Sequence, residues 1–336
     1  MKTEKIQLAH GEAVLISYLH DLSPKFPNAE RRQTVLILPG GGYATISDRE
    51  AEPVALAYLA EGFNAFVLRY TVGEGAHWPQ PLEDAQAALD WIVDHSGEYH
   101  VDTQRIALVG FSAGGHLAAA VGTQGRRRPS ALVLGYPCLG QPQCGLMPMH
   151  PPALLGAADD KTPPTFLFST YEDEVVPVTQ TLRFAAELAE KEIPVECHVF
   201  QYGIHGLSLA KPFTSSGRIA KVDESVQQWH PMSVQWLRRL WGDYPTTLHE
   251  RRPTAESLGA YCIDALGGSL MENQSCMRIL CEYYPPMCRK EYAWGVRPVT
   301  IRDLNAMLPH GMALTEEKLR ELDEALRQVP LPEREA

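Results

Sequence analysis

The chain has 336 residues, 45% apolar and 21% charged, a balance that allows a sizeable folded core and excludes a disordered or membrane-embedded chain. Thirty basic against forty-one acidic side chains give a net charge of −11, which disfavours nucleic acid and anionic membranes as partners. The first ten residues carry charges without an apolar run of signal-peptide length, so a cytoplasmic location is expected.

In chain order, residues 13–18 alternate weakly and predict an antiparallel edge strand, followed by turn chemistry over 23–32. Residues 34–38 are a continuous aliphatic strand running into Pro39, Gly40, Gly41, Gly42 and Tyr43, where three glycines let the backbone aim its amides at a common point. Ser47 and Glu50 have the spacing of a capping box, predicting a helix from there to about residue 60. A strand follows at 63–70, and an amphipathic helix at 81–94 with Leu82, Ala85, Leu89, Ile92 and Val93 on one side. Next come a buried strand at 106–109 and a small-residue helix at 113–121, then the Arg126, Arg127, Arg128 run, read as a solvated loop.

Further strands are expected at 130–134, 165–169 and 195–200, and helices at 178–192 and 227–240, with an aperiodic loop at 138–164 bordering the site. Strands alternating with helix-length crossovers mean a mostly parallel sheet covered on both faces, the α/β class. No strand-like runs appear after about residue 241. This divides the chain into a catalytic domain over 1–244 and a small helical C-terminal extension over 245–336, with helices at 254–267, 269–283, 300–308 and 315–328. Four of the seven cysteines lie between 262 and 288 without the close pairing of structural zinc sites, so reduced, buried thiols and no metal are expected.

The chemistry centres on Gly110-Phe-Ser-Ala-Gly114, set between a strand and a helix. That context makes it a nucleophile elbow, a turn tight enough to need both glycines, which lifts the Ser112 hydroxyl above the sheet edge. A serine needs a base, and the base needs an orienting carboxylate. In the order that such folds use, Asp173 follows the strand at 165–169, in preference to Glu172 and Glu174, and His205 follows the strand at 195–200 between Gly203 and Gly206. His116, four residues beyond Ser112, is read as a packing or hydrogen-bonding group beneath the site. The amides of Gly41, Gly42 and Ala113 are the candidate oxyanion hole. A phosphate-binding role for the glycines is disfavoured by the absence of a following Gly-Lys-Ser/Thr.

Together the segments Leu38-Pro-Gly-Gly-Gly-Tyr43, Ser47-Asp-Arg-Glu50, Gly110 to Ala118, Pro163 to Phe166, Asp173 to Pro177 and His205-Gly206 resemble the bacterial acetyl esterase and xylan esterase branch of the α/β-hydrolase superfamily, near the hormone-sensitive-lipase-like group. Proline stands at position 39, where many lipase-like relatives carry His. The resemblance implies an α/β-hydrolase fold, Ser112, Asp173 and His205 as a triad, and short acyl esters as substrates, often of acetylated sugars. No cofactor is expected. A sugar leaving group suggests aromatic stacking at the mouth, with Tyr43, Trp78 and Tyr136 as candidates. A peptidase or amidase on the same triad, or a non-catalytic binding module, stays open at this point, as does a role of the extension in homo-oligomerisation or carbohydrate contact.

Overall fold

The computed structural model describes residues 1–8, 12–245, 253–289, 295–309 and 311–332. The chain forms two compact units, Met1–Pro245 and Thr246–Ala336.

The first unit is built on an eight-stranded sheet: β1 (Lys2–Gln7), β2 (Val14–Leu19), β3 (Arg32–Leu38), β4 (Asn64–Arg69), β5 (Val101–Phe111), β6 (Ala131–Gly135), β7 (Thr165–Thr170) and β8 (Val195–Phe200), in the spatial order β1-β2-β4-β3-β5-β6-β7-β8. Only the β1/β2 and β2/β4 pairings are antiparallel. Alternation along the strands divides the core between the two faces. Leu36, Leu38, Leu108 and Leu134 point to the side covered by α2 (Gln80–Asp94), α3 (Ala113–Gln124) and α5 (Val178–Glu190). Val35, Ile37, Val109 and Val133 point to the other side, under α1 (Glu52–Ala60) and α6 (Trp229–Trp241).

Several expectations need correction. The strand expected at 13–18 is β2 and lies inside the sheet, because β1 pairs outside it from Lys2 to Gln7. β1 is charged and mostly exposed, which hides it from any hydrophobic pattern. The segment at 47–60 is a 3-10 turn, Asp48–Glu50, followed by α1, and Ser47 makes no side-chain cap. Glu50 faces the protein interior instead. The 138–164 segment is largely irregular, with one short helix, α4 (Gln143–Leu146). The arginine run is the exposed loop expected at Arg126 and Arg127, which pair with Asp90, while the half-buried Arg128 pairs with Asp159.

The second unit is helical among its described residues: Ala255–Leu258, Gly267–Met271, Gln274–Tyr283, Ile301–Met307 and Glu316–Arg327. Thr254, Asn273, Thr300 and Thr315 cap four of these helices with their side chains, and Leu270, Leu280, Ile301, Leu319 and Leu322 share a buried core. The helix expected at 254–267 stops early, because Gly259 takes the left-handed conformation that ends a helix. Cys262 and Cys276 are free and buried, but Cys281 is disulfide-bonded, against the expectation of reduced thiols throughout. No described helix is long and apolar enough to cross a membrane.

Candidate active site

Four loops at the carboxyl ends of β3, β5, β7 and β8 converge on Ser112, the usual place for chemistry in an open parallel sheet. Ser112 sits between β5 and α3 with φ 53° and ψ −116°, a left-handed backbone that a non-glycine residue adopts only under constraint. The constraint is close packing. A Cβ on Gly110 would lie 2.2 Å from the Gly114 carbonyl oxygen, and one on Gly114 would lie 2.0 Å from the Leu38 carbonyl oxygen, so both flanking positions exclude any side chain. The Ser112 amide donates to the Gly135 carbonyl at 3.0 Å, tying the elbow to β6.

Ser112 Oγ lies 2.8 Å from His205 Nε2, and His205 Nδ1 lies 2.7 Å from Asp173 Oδ2. The tautomer follows from the partners. A carboxylate only accepts, so Nδ1 carries the proton and Nε2 is left to accept from the Ser112 hydroxyl. Asp173 Oδ1 takes the amides of Val175 and Val176 at 2.9 and 2.8 Å, which fixes the side chain while Oδ2 faces the histidine. The two neighbouring carboxylates brace the histidine loop: Glu172 accepts from the Gly203 amide and Glu174 from the His205 amide. Among the three acidic residues at 172–174, only Asp173 meets the imidazole ring through a hydrogen bond in the described structure.

The loop after β3 is held by its carbonyls. Pro39 O accepts from the Tyr70 hydroxyl at 2.6 Å, Gly40 O from the Ser47 amide at 2.9 Å, and Gly41 O from the Ala44 and Thr45 amides at 3.1 Å each. In a trans peptide the N–H points opposite to the C=O, so the Gly41 and Gly42 amides are turned away from those partners. Among the described residues neither amide has a protein acceptor, and Ala113 N–H opens α3, where helix geometry supplies none. Gly41 at φ 132° requires glycine, since a Cβ there would also lie 2.0 Å from the Thr45 carbonyl oxygen, while Gly42 at φ 62° is in the left-handed region that favours it.

The aromatic candidates divide. Tyr43 is fully buried, and its hydroxyl meets His116 Nδ1 at 2.8 Å; Tyr136 is also buried, and its hydroxyl donates to Glu50 Oε1 at 2.7 Å. Neither ring has a face in solvent, so neither is a stacking platform for a sugar. Trp78 is half-buried, edge-on to both Tyr43 and His116. His116 is wholly buried, with Nε2 2.8 Å from the Pro152 carbonyl, which can only accept. Its Nε2 therefore donates, its Nδ1 accepts from Tyr43, and the neutral ring joins the β3 loop to the 138–164 loop. Burial pushes its pKa down from 6.5 to about 4, partly offset by the Pro152 bond.

Glu50 is a site residue that the sequence did not reveal. Its side chain is buried, with Oε2 taking the Gly40 amide at 2.8 Å and Oε1 the Tyr136 hydroxyl. Its spacing from Ser47 fits a capping box equally well, so no pattern separates the two roles. Among the described residues no group of three His, Cys, Asp or Glu side chains is arranged to hold a metal ion.

Residues 22–131 match the BD-FAE family model. The chain is 43% identical to MGS-M1, an alpha/beta hydrolase enzyme from a Medee basin deep-sea metagenome library, covering 71% of this chain and 98% of that one with a TM-score of 0.67. It is 32% identical to the acetyl ester-xyloside bifunctional hydrolase from Caldicellulosiruptor lactoaceticus, over 68% of this chain and 89% of that one, with a TM-score of 0.59. Endo-1,4-beta-xylanase B of Butyrivibrio fibrisolvens is 32% identical over 233 residues, 60% of this chain; the match spans only 36% of that longer curated relative. With the eight-stranded sheet in this order, the elbow after β5 and near-complete coverage of a hydrolase at 43% identity, the chain belongs to the α/β-hydrolase family.

Proposed function

We propose that the protein is a serine carboxylesterase cleaving short acyl esters, acetyl esters of sugars or xylo-oligosaccharides foremost, through an acyl-enzyme on Ser112. The observation that carries this reading is the hydrogen-bonded line from Ser112 Oγ through His205 to Asp173, beside amides without protein acceptors. Ser112 Oγ attacks the ester carbonyl carbon while its proton passes to His205 Nε2, and Asp173 stabilises the imidazolium. The carbonyl oxygen, now an anion, is met by the Ala113, Gly41 and Gly42 amides, each such donor being worth about 3 kcal/mol of transition-state stabilisation. Collapse of the tetrahedral species breaks the C–O bond, and His205 gives its proton to the leaving alcohol. Water then attacks the acyl-enzyme with His205 again as base, releasing the acid and restoring Ser112.

The sugar part of the proposal is supported by the names of the relatives, one an acetyl ester-xyloside hydrolase and one a xylanase. Of the three aromatic candidates, Trp78 is the one still available to line a sugar site. A cytoplasmic location belongs to the same proposal and is tested by fractionation of source cells; recovery in an oxidising compartment, where disulfides such as that at Cys281 persist, overturns it. Acetate release from acetylated xylo-oligosaccharides, measured beside turnover of an aryl acetate with wild type and Ser112→Ala, tests the function. Activity on both that is lost in the variant is expected. Turnover of the aryl acetate alone removes the sugar assignment, and activity on either that survives in Ser112→Ala removes the mechanism.

A further inference from the structure

The amide of Gly40 and the hydroxyl of Tyr136 both end on one carboxylate, that of Glu50. The three residues belong to parts of the site that must keep register. Gly40 opens the loop bearing the candidate oxyanion amides, and a Cβ placed on it would lie 3.1 Å from Ser112 Cβ. The Tyr136 ring stands edge-on to the His205 ring at 5.1 Å, and its hydroxyl also takes the Ser208 amide at 2.9 Å, three residues past the histidine. From the residue beside Glu50, Arg49 Nη1 donates to the Gly206 carbonyl at 2.6 Å, and the Arg49 carbonyl takes the Ser208 hydroxyl at 2.5 Å. The histidine loop is thus tied to the 49–50 turn on two sides, and that turn is tied to Gly40.

We infer that Glu50 is a positioning residue whose two hydrogen bonds set the oxyanion loop and the His205 loop in register around Ser112. Its carboxylate touches neither Ser112 nor His205 through a hydrogen bond in the described structure, so it acts through Gly40 and Tyr136. The inference rests on the assignment of Ser112, His205 and Asp173 proposed above. Buried carboxylates are costly without partners, and here both oxygens have one. Glutamine in this place keeps an acceptor for Gly40 N–H and turns a donor toward Tyr136, whose hydroxyl can accept; alanine removes both links.

The test is kcat and KM for an aryl acetate, scaled to active sites by fluorophosphonate titration, with Tm measured alongside. Glu50→Ala is expected to lower kcat about 100-fold with KM within about threefold, the size of effect that follows from misplacing reacting groups by an ångström. Glu50→Gln is expected to recover most of that loss. Tyr136→Phe, which keeps the ring against His205 and removes one link, is expected to cost about fivefold in kcat and serves if Glu50→Ala does not fold. The inference is overturned by any of three results: kcat per site in Glu50→Ala (Tyr136→Phe if Glu50→Ala does not fold) close to wild type, Glu50→Gln as impaired as Glu50→Ala, or losses that track Tm with KM and kcat changing together. A wild-type enzyme whose activity does not depend on Ser112 would instead overturn the catalytic assignment, and the Ser112→Ala control separates the two.

Discussion

Replacing His116 with asparagine should flatten the loss of stability on acidification. The imidazole is fully buried and neutral, and burial brings its pKa from 6.5 down to about 4. Between those values the unfolded chain binds a proton that the folded chain does not, so stability rises with pH across this window and falls as pH drops through it. The full difference is about 3 kcal/mol, reached below pH 4, and about 2 kcal/mol of it is lost between about pH 7.5 and pH 5. Asparagine does not titrate and keeps an oxygen to accept the Tyr43 hydroxyl, while it leaves the Pro152 carbonyl unmet, so the variant should be less stable at neutral pH by about 1–3 kcal/mol. His230, half-buried with desolvation pushing its pKa down to about 4, is present in both proteins and contributes equally to their slopes. Urea unfolding at the two pH values gives the answer: the gap between wild type and variant should narrow by about 2 kcal/mol on going to pH 5. Parallel lines for the two proteins would refute the neutral, buried assignment of His116.

Asp173→Asn should lower kcat about 10^4-fold with the fold intact, because Oδ1 is held by the Val175 and Val176 amides and the new amide would face His205 Nδ1 as a donor, leaving the proton on Nε2 and no acceptor for Ser112. Steady-state kinetics with a circular dichroism control checks this, and a loss below about tenfold would count against Asp173 orienting the His205 ring. Gly114→Ala should destabilise the protein by more than about 3 kcal/mol, since its Cβ would sit 2.0 Å from a backbone oxygen that ends a central strand and cannot move alone. A Tm near wild type would count against the close β3–α3 approach at Gly114.

What the sequence revealed and what it hid follow from the range of the interactions. The elbow was legible because a short motif frames it: a Cβ on Gly110 would meet Gly114 within the same turn, and a strand and a helix flank Ser112 in the sequence. The atom that excludes a side chain at Gly114, the Leu38 carbonyl oxygen, nevertheless comes from the distant strand β3. The strands β3, β4, β6 and β7 and the 106–111 part of β5 were legible because burial on both faces makes them apolar runs; the polar, partly exposed first half of β5 at 101–105 was missed. β1 was not, because an exposed edge is held by backbone pairing and leaves its side chains charged. Tyr43 and Tyr136 were placed at the mouth on residue type alone; their hydroxyls bond to groups 73 and 86 residues away, a distance over which no sequence pattern extends. Glu50 was hidden for the same reason, with the further difficulty that a local rule offered it a competing role.

Everything proposed for the site depends on Ser112 being the nucleophile of an ester hydrolase. Intact-mass analysis after treatment with a fluorophosphonate probe tests it most directly. A single adduct is expected, mapped to the peptide containing Ser112, blocked by prior incubation with an aryl acetate and absent in Ser112→Ala. No adduct on the folded wild-type protein, or an adduct that persists in Ser112→Ala, would contradict it.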